Sequence, residues 1–185
     1  KDKNEVQVAG LPANAKISNL SWSPNDTKIL FTDTAANGVE LWVIDVASAQ
    51  AKKLTEANLN ANLGAPFSWF GDNETVLVKL LPSNRKPLLD AKKDLPAGPI
   101  ISNASGAKSQ NRTYPDMLKN KNDEINFENI ITSELYKITL SGNKTLFKSA
   151  DMFAGQSLSP DGNYIMITTI QKPFSYIVPL NRFPM

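Results

Sequence analysis

A short motif recurs three times along the chain, and this recurrence constrains the fold more than any other feature of the sequence. Leu20-Ser-Trp-Ser-Pro-Asn-Asp26 leads into Lys28-Ile-Leu-Phe-Thr32. Phe67-Ser-Trp-Phe-Gly-Asp-Asn73 leads into Thr75-Val-Leu-Val-Lys79, and Gln156-Ser-Leu-Ser-Pro-Asp-Gly162 into Tyr164-Ile-Met-Ile-Thr168. Each reads as a short strand, a tight turn and an apolar strand. Pro24 and Pro160 preset φ for a turn, while Asn25-Asp26 and Asp161-Gly162 tolerate the left-handed backbone a tight hairpin needs.

A second element also repeats. Glu40-Leu-Trp-Val-Ile-Asp-Val46 passes through a polar turn into Ala51-Lys-Lys-Leu-Thr55, and Glu134-Leu-Tyr-Lys-Ile-Thr-Leu140 passes through Ser141-Gly-Asn143 into Lys144-Thr-Leu-Phe147. Joined to the first element, it makes four strands per unit, the blade of a β-propeller. Trp22 and Trp69 stand 47 positions apart, within the ~40–50 residues of a propeller repeat. Glu40 and Glu134 are 94 apart, one period plus 47 further residues. The excess lies between Leu81 and Ile131, where five of the twelve prolines fall, and it predicts an insertion over 82–131 inside the second blade. Part of the insertion is expected to be helical, with Thr113 as cap, Pro115 in the first turn and Asp116-Met-Leu-Lys119 following.

The resulting expectation is an all-β chain. It forms a partial β-propeller of about three blades of four-stranded antiparallel sheets, with a partly helical insertion in the second. Residues 5–8 would be the outer strand of a preceding blade. Blades follow at 17–55 and 66–147, and an incomplete one at 156–180 ends in a strand over Ser175-Tyr-Ile-Val178. Those strands do not close a ring of at least four blades, so the chain reads as part of a larger propeller. A self-contained β-sandwich or small barrel is the alternative.

Composition narrows the chemistry. The 185 residues include neither histidine nor cysteine, which removes a Ser-His-Asp triad, a Cys-His dyad, a zinc finger and a disulfide framework from this chain. A formal charge of +2 is too small for the concentrated basic field that nucleic acid or an anionic membrane surface requires. No apolar run approaches the ~20 residues of a membrane span, and Lys1 opens no signal peptide.

The repeats also resemble a known family. Leu11-Pro-Ala-Asn14, Leu20-Ser-Trp-Ser-Pro24, Glu40-Leu-Trp-Val-Ile-Asp-Val46 and Pro66-Phe-Ser-Trp69 resemble the N-terminal propeller of the prolyl-oligopeptidase family of serine peptidases. Arg112-Thr-Tyr114 with Asp116, Leu118-Lys-Asn120, Asp123-Glu124, Tyr176-Ile-Val-Pro179 and Arg182-Phe-Pro184 are more particular, and point to its glutamyl endopeptidase-like branch. Ser-Trp-Ser-Pro alone is weak, because it occurs across many propellers.

The resemblance implies a parent that cleaves peptides. Its nucleophilic serine would lie in a Gly-x-Ser-x-Gly elbow of a C-terminal α/β-hydrolase domain, followed by Asp and His. The propeller would gate substrate access to that domain, which is the implied partner. Gly155-Gln-Ser157-Leu-Ser159 lacks the second glycine and falls in a blade turn, so no catalytic residue carries over to this chain. No cofactor and no metal are implied. Bacterial relatives suggest an exported, periplasmic location. A stand-alone TolB-like propeller serving as a protein-binding scaffold is the competing functional reading. In either case, unpaired blade edges invite self-association.

Few residues offer themselves as a site. Arg85 and Arg112 are candidates for contacting an acidic peptide side chain, since a guanidinium matches a carboxylate bidentately. The plainer expectation for both is a structural bond or a solvated surface position. Asp116, Asp123, Glu124 and Glu128 suggest a metal site less well than a solvated face beside Lys119 and Lys121. Trp22, Trp42 and Trp69, at repeat positions, are expected to pack between sheets. Asn25, Asn73, Asn103, Asn111 and Asn143 open Asn-x-Ser/Thr triplets, which matter only in a eukaryotic secretory setting.

Overall fold

A computed structural model describes residues 5–90, 106 and 117–180. Within them, two four-stranded antiparallel sheets and a two-stranded one follow each other in chain order. The first sheet contains β1 (Ile17–Trp22), β2 (Lys28–Ala35), β3 (Gly38–Asp45) and β4 (Gln50–Lys53), each paired with the next. The second contains β5 (Phe67–Trp69), β6 (Thr75–Leu80), β7 (Ser133–Thr139) and β8 (Lys144–Asp151) in the same order. β9 (Phe153–Leu158) and β10 (Ile165–Thr169) form the third. Successive meanders of this kind are propeller blades, and the chain is a partial all-β propeller with a single helix among the described residues, α1 (Lys121–Ile131), between β6 and β7.

The three motif turns share one construction. In the first, Ser23 N–H donates to Lys28 O, Asp26 N–H donates to Ser23 O, and Ser23 Oγ accepts from Lys28 N–H while donating to Asn25 Oδ1. Ser159, Tyr164, Gly162 and Asp161 repeat that pattern in the third turn. In the second, Phe70 N–H donates to Thr75 O, and Asp72 accepts from Glu74 and Thr75 N–H. The same turn position is left-handed in all three, with φ of 57° at Asp26, 61° at Asn73 and 71° at Gly162, as short polar residues and glycine permit. Asn73 Oδ1 also accepts Asn25 N–H at 2.9 Å, tying the first turn to the second.

Strand β6 organises the core. Val76, Val78 and Leu80 face the first sheet and cluster with Leu30, Leu41, Val43, Phe67 and Ile138. Leu77, on the opposite face, packs with Leu135 and Phe153 against the third sheet. Both faces of β6 are therefore covered, which explains its near-continuous apolar run. The outer strand β8 differs. Its residues Lys144 to Ala150 are exposed, and its Lys-Thr-Leu-Phe-Lys sequence carries charge along the free edge.

The connection from β4 to β5 is a strap rather than a loose loop. Leu59 forms an antiparallel bridge to Leu80, Asn60 N–H donates to Lys79 O and Leu81 N–H to Asn58 O. Asn60 is 1 % exposed, and its side-chain amide donates to Ile130 O at 2.9 Å and Thr132 O at 3.1 Å. Farther along, Gly64 is left-handed at φ 60°, and a Cβ there would lie 2.2 Å from Ala154 O. Gln156 Nε2 then donates to Ala65 O at 2.8 Å.

Three expectations are corrected. Residues 5–8 form no strand; Ala9 instead makes a single parallel bridge to Gln50, running along β4. Residues 175–178 are not extended, because Ser175 Oγ accepts the N–H groups of Ile177 and Val178 and bends the chain locally. The helix starts later than Pro115. Met117–Asn120 are not helical, and Asn120 caps α1 by accepting Asp123 N–H at 2.9 Å, while Asp123 Oδ2 accepts Lys119 N–H. Thr113, Pro115 and Asp116 lie outside the described residues.

The strap gives a stability test. Asn60→Ala removes the side-chain bonds to Ile130 O and Thr132 O, leaving Ile130 O only a 3.4 Å bond from Asn62 Nδ2, and is expected to cost about 2–3 kcal/mol. Gly64→Ala adds left-handed strain to a backbone clash and should cost at least as much. Urea denaturation checks both, and a loss below about 0.5 kcal/mol for either variant would contradict the strap as an anchor.

Candidate functional site

The insertion builds the candidate site. After β6, Arg85 N–H donates to Pro82 O and turns the chain. The segment then runs beside α1, where Asn126 Oδ1 accepts Leu89 N–H at 2.7 Å and Asn126 Nδ2 returns a bond to Leu89 O at 2.9 Å. Arg85 Nε donates to Asn129 O at 2.9 Å, near the C-terminal end of α1. A cation is favoured there, because the last carbonyls of a helix carry partial negative charge. Thr132 completes that end, giving its N–H and its hydroxyl to Glu128 O.

Between this segment and the helix lies a cleft of about 470 Å³, lined by Asn84, Arg85, Lys86, Glu128 and Asn129 among others. Glu128 is paired with Lys172 at 2.5 Å. Arg85 and Lys86 therefore leave the cleft with a positive balance, suited to a carboxylate. Thr132, the only hydroxyl-bearing residue among its described lining, is spent on the helix. The cleft can bind and orient an anionic group, but its described residues supply no nucleophile paired with a base.

α1 is held from its other side by the chain's last described segment. Phe174 meets Phe127 edge-on at 5.1 Å, and Ile131, Ile170 and Phe174 form a buried cluster. Tyr176 bonds Glu124, whose carboxyl is also paired with Lys121. The Lys121 bond, followed by the Tyr176 bond, holds the Glu124 carboxyl below the usual carboxylate range. Asp123, Glu124 and Glu128 are thus engaged in the helix cap and ion pairs, and no group of three potential metal ligands occurs among the described residues.

Arg85 is the one predicted contact that falls within the described residues; Arg112 lies outside them. Ser157 is exposed, but it lies within strand β9 paired with Met166 of β10 rather than in the turn expected for its motif. Trp69 packs on the core and donates Nε1–H to Ser21 O, and Trp42 stacks on Phe31. Trp22 departs from its expected burial and is 54 % exposed. Sequence reasoning missed Lys79. It is 1 % exposed, and burial pushes its ammonium down to about 8. Its signal was available, as a lone lysine inside the apolar run Val76 to Leu81.

With this geometry in place, the comparisons are informative. No family model matches the chain. A probable chloroplastic glutamyl endopeptidase from Oryza sativa subsp. japonica is 34 % identical over 97 % of the chain, and its namesake from Arabidopsis thaliana 31 % identical over 97 %. The chain is a propeller region of the prolyl-oligopeptidase family of peptidases, from its glutamyl endopeptidase-like branch. This propeller region spans about a fifth of the curated relatives' length, 20 % and 19 %. Among solved structures, Pyrococcus horikoshii acylaminoacyl peptidase aligns with TM-score 0.49 and 17 % identity, over 88 % of this chain and 21 % of that one.

The bond from Arg85 to the helix end is testable. Arg85→Ala should lower stability by about 1 kcal/mol in urea denaturation. Unchanged stability would mean that the guanidinium contributes nothing to holding α1.

Proposed function

We propose that this region forms part of the wall through which peptides reach the active site of a larger serine peptidase, excluding folded proteins by size. The observation that carries the reading is the 34 % identity to a probable glutamyl endopeptidase over 97 % of the chain. It favours a peptidase propeller over a free-standing TolB-like scaffold. The chain itself has no histidine, so a Ser-His-Asp triad would belong to the C-terminal hydrolase domain of the parent. A gating wall must be stiff enough to reject bulk yet able to part, and the strap through Asn60 and Gly64 supplies stiffness between neighbouring blades.

Arg85 and Arg112 are the proposed contacts for an acidic side chain of the peptide. What supports Arg85 is its position in a positively balanced cleft, with only Nε engaged by the described residues. The outer nitrogens of its guanidinium suit a carboxylate.

The test uses the longer parent polypeptide and one cleavable sequence, presented either as a short peptide or inside a folded protein. Loosening the strap with Asn60→Ala should raise cleavage of the folded substrate relative to the peptide several-fold. An unchanged ratio in a variant shown to be loosened by hydrogen exchange would refute gating by this wall.

A further inference from the structure

Lys79 is the most anomalous group in the molecule. It is the fifth of the six residues of β6, on the face that Leu77 presents to the third sheet, and is 1 % exposed. Its Nζ donates to Leu63 O, on the strap, and no second partner of that nitrogen occurs among the described residues. The next strap residues are those that touch the third sheet, Gly64 against Ala154 O and Ala65 through Gln156. The ammonium therefore holds the stretch of the β4–β5 strap that lies against the third sheet.

Among the described residues, no carboxylate is recorded as compensating it. The strap from Ala57 to Pro66, β5, β9 and β10 contain no ionisable side chain. On β7, Lys137 shares its face by alternation and is engaged with the rings of Phe70 and Phe147. Glu134 stands opposite Leu80, on the other face, bonded to Tyr136. Beyond β7, Lys148 lies across from Leu135, and Asp151 accepts Met152 N–H. At the end of α1, Glu128 is taken by Lys172. Burial is accordingly the whole cause of the shift at Lys79.

We propose that Lys79 makes the seam between the second and third sheets a proton-sensitive latch, which takes up a proton when the seam parts and releases it when the seam closes. This device is independent of whether the parent is a peptidase. With the seam open, Lys79 is solvated and regains the ordinary value of 10.5; with it closed, the value is about 8. The open state thus binds more protons between those two limits, and rising pH favours closure. The opening constant should be nearly flat below pH 7 and fall about tenfold between pH 7 and pH 9.

Hydrogen exchange of the whole chain at pH 6 to 9, corrected for intrinsic rates, measures this at the Asn60 and Lys79 amides, which bond across the strap to Lys79 O and Pro66 O. The expected result is the tenfold fall there, with no such slope at core amides of the first sheet such as Leu41, and its disappearance in Lys79→Met. A pH-independent seam, the same slope at Leu41, or a slope retained in Lys79→Met would each overturn the latch. Should the variant not fold, direct titration of the Lys79 ammonium by NMR in the unmodified chain decides. A value near 8 supports the proposal and one near 10.5 ends it.

Discussion

The side-chain amide of Asn60 is the bond on which the described structure turns. A propeller blade normally connects β6 to β7 by a hairpin, but here an insertion separates them. Asn60 donates to Ile130 O and Thr132 O, and so fastens the point where the insertion ends and β7 begins. Its own backbone N–H is fixed on β6 through Lys79 O. One buried residue therefore holds both ends of the interrupted hairpin in register, and the six-residue pairing from Thr75↔Thr139 to Leu80↔Glu134 remains intact despite the insertion.

How much of this was legible depended on the range of the forces involved. The three turns were readable because Ser23 bonds Asn25, Asp72 bonds Glu74 and Thr75, and Ser159 bonds Asp161, all close in sequence, with Pro24 and Pro160 presetting φ. The blade order followed from repetition. By contrast, residues 175–178 have an apolar, strand-like composition, and the Ser175 hydroxyl bends them. The helix start was placed too early because proline and threonine signals outweighed the Asn120…Asp123 box, which was present in the sequence. Arg85 was singled out for its chemistry, while its bond to Asn129 O depends on a helix 44 positions away. Lys79 was hidden by the apolar run around it, since periodicity counts treat one lysine among valines and leucines as noise.

The site and the core share their materials. Arg85, Glu128 and Lys172 are charged groups that a surface survey would assign to solvent or ligand, yet each is engaged with α1 or with the segment packed on it. The cleft they border is consequently prearranged, and rotamer entropy already lost in those contacts is not lost again on binding.

The exposed strand β8 has a consequence for growth by accretion. Its free backbone groups offer a template to any extended chain, but Lys144 and Lys148 would have to shed water for a visitor to pair there. Lys144 is further retained over the ring of Tyr136 at 4.0 Å, and Lys137 between Phe70 and Phe147. Lateral recruitment at this rim is thus disfavoured.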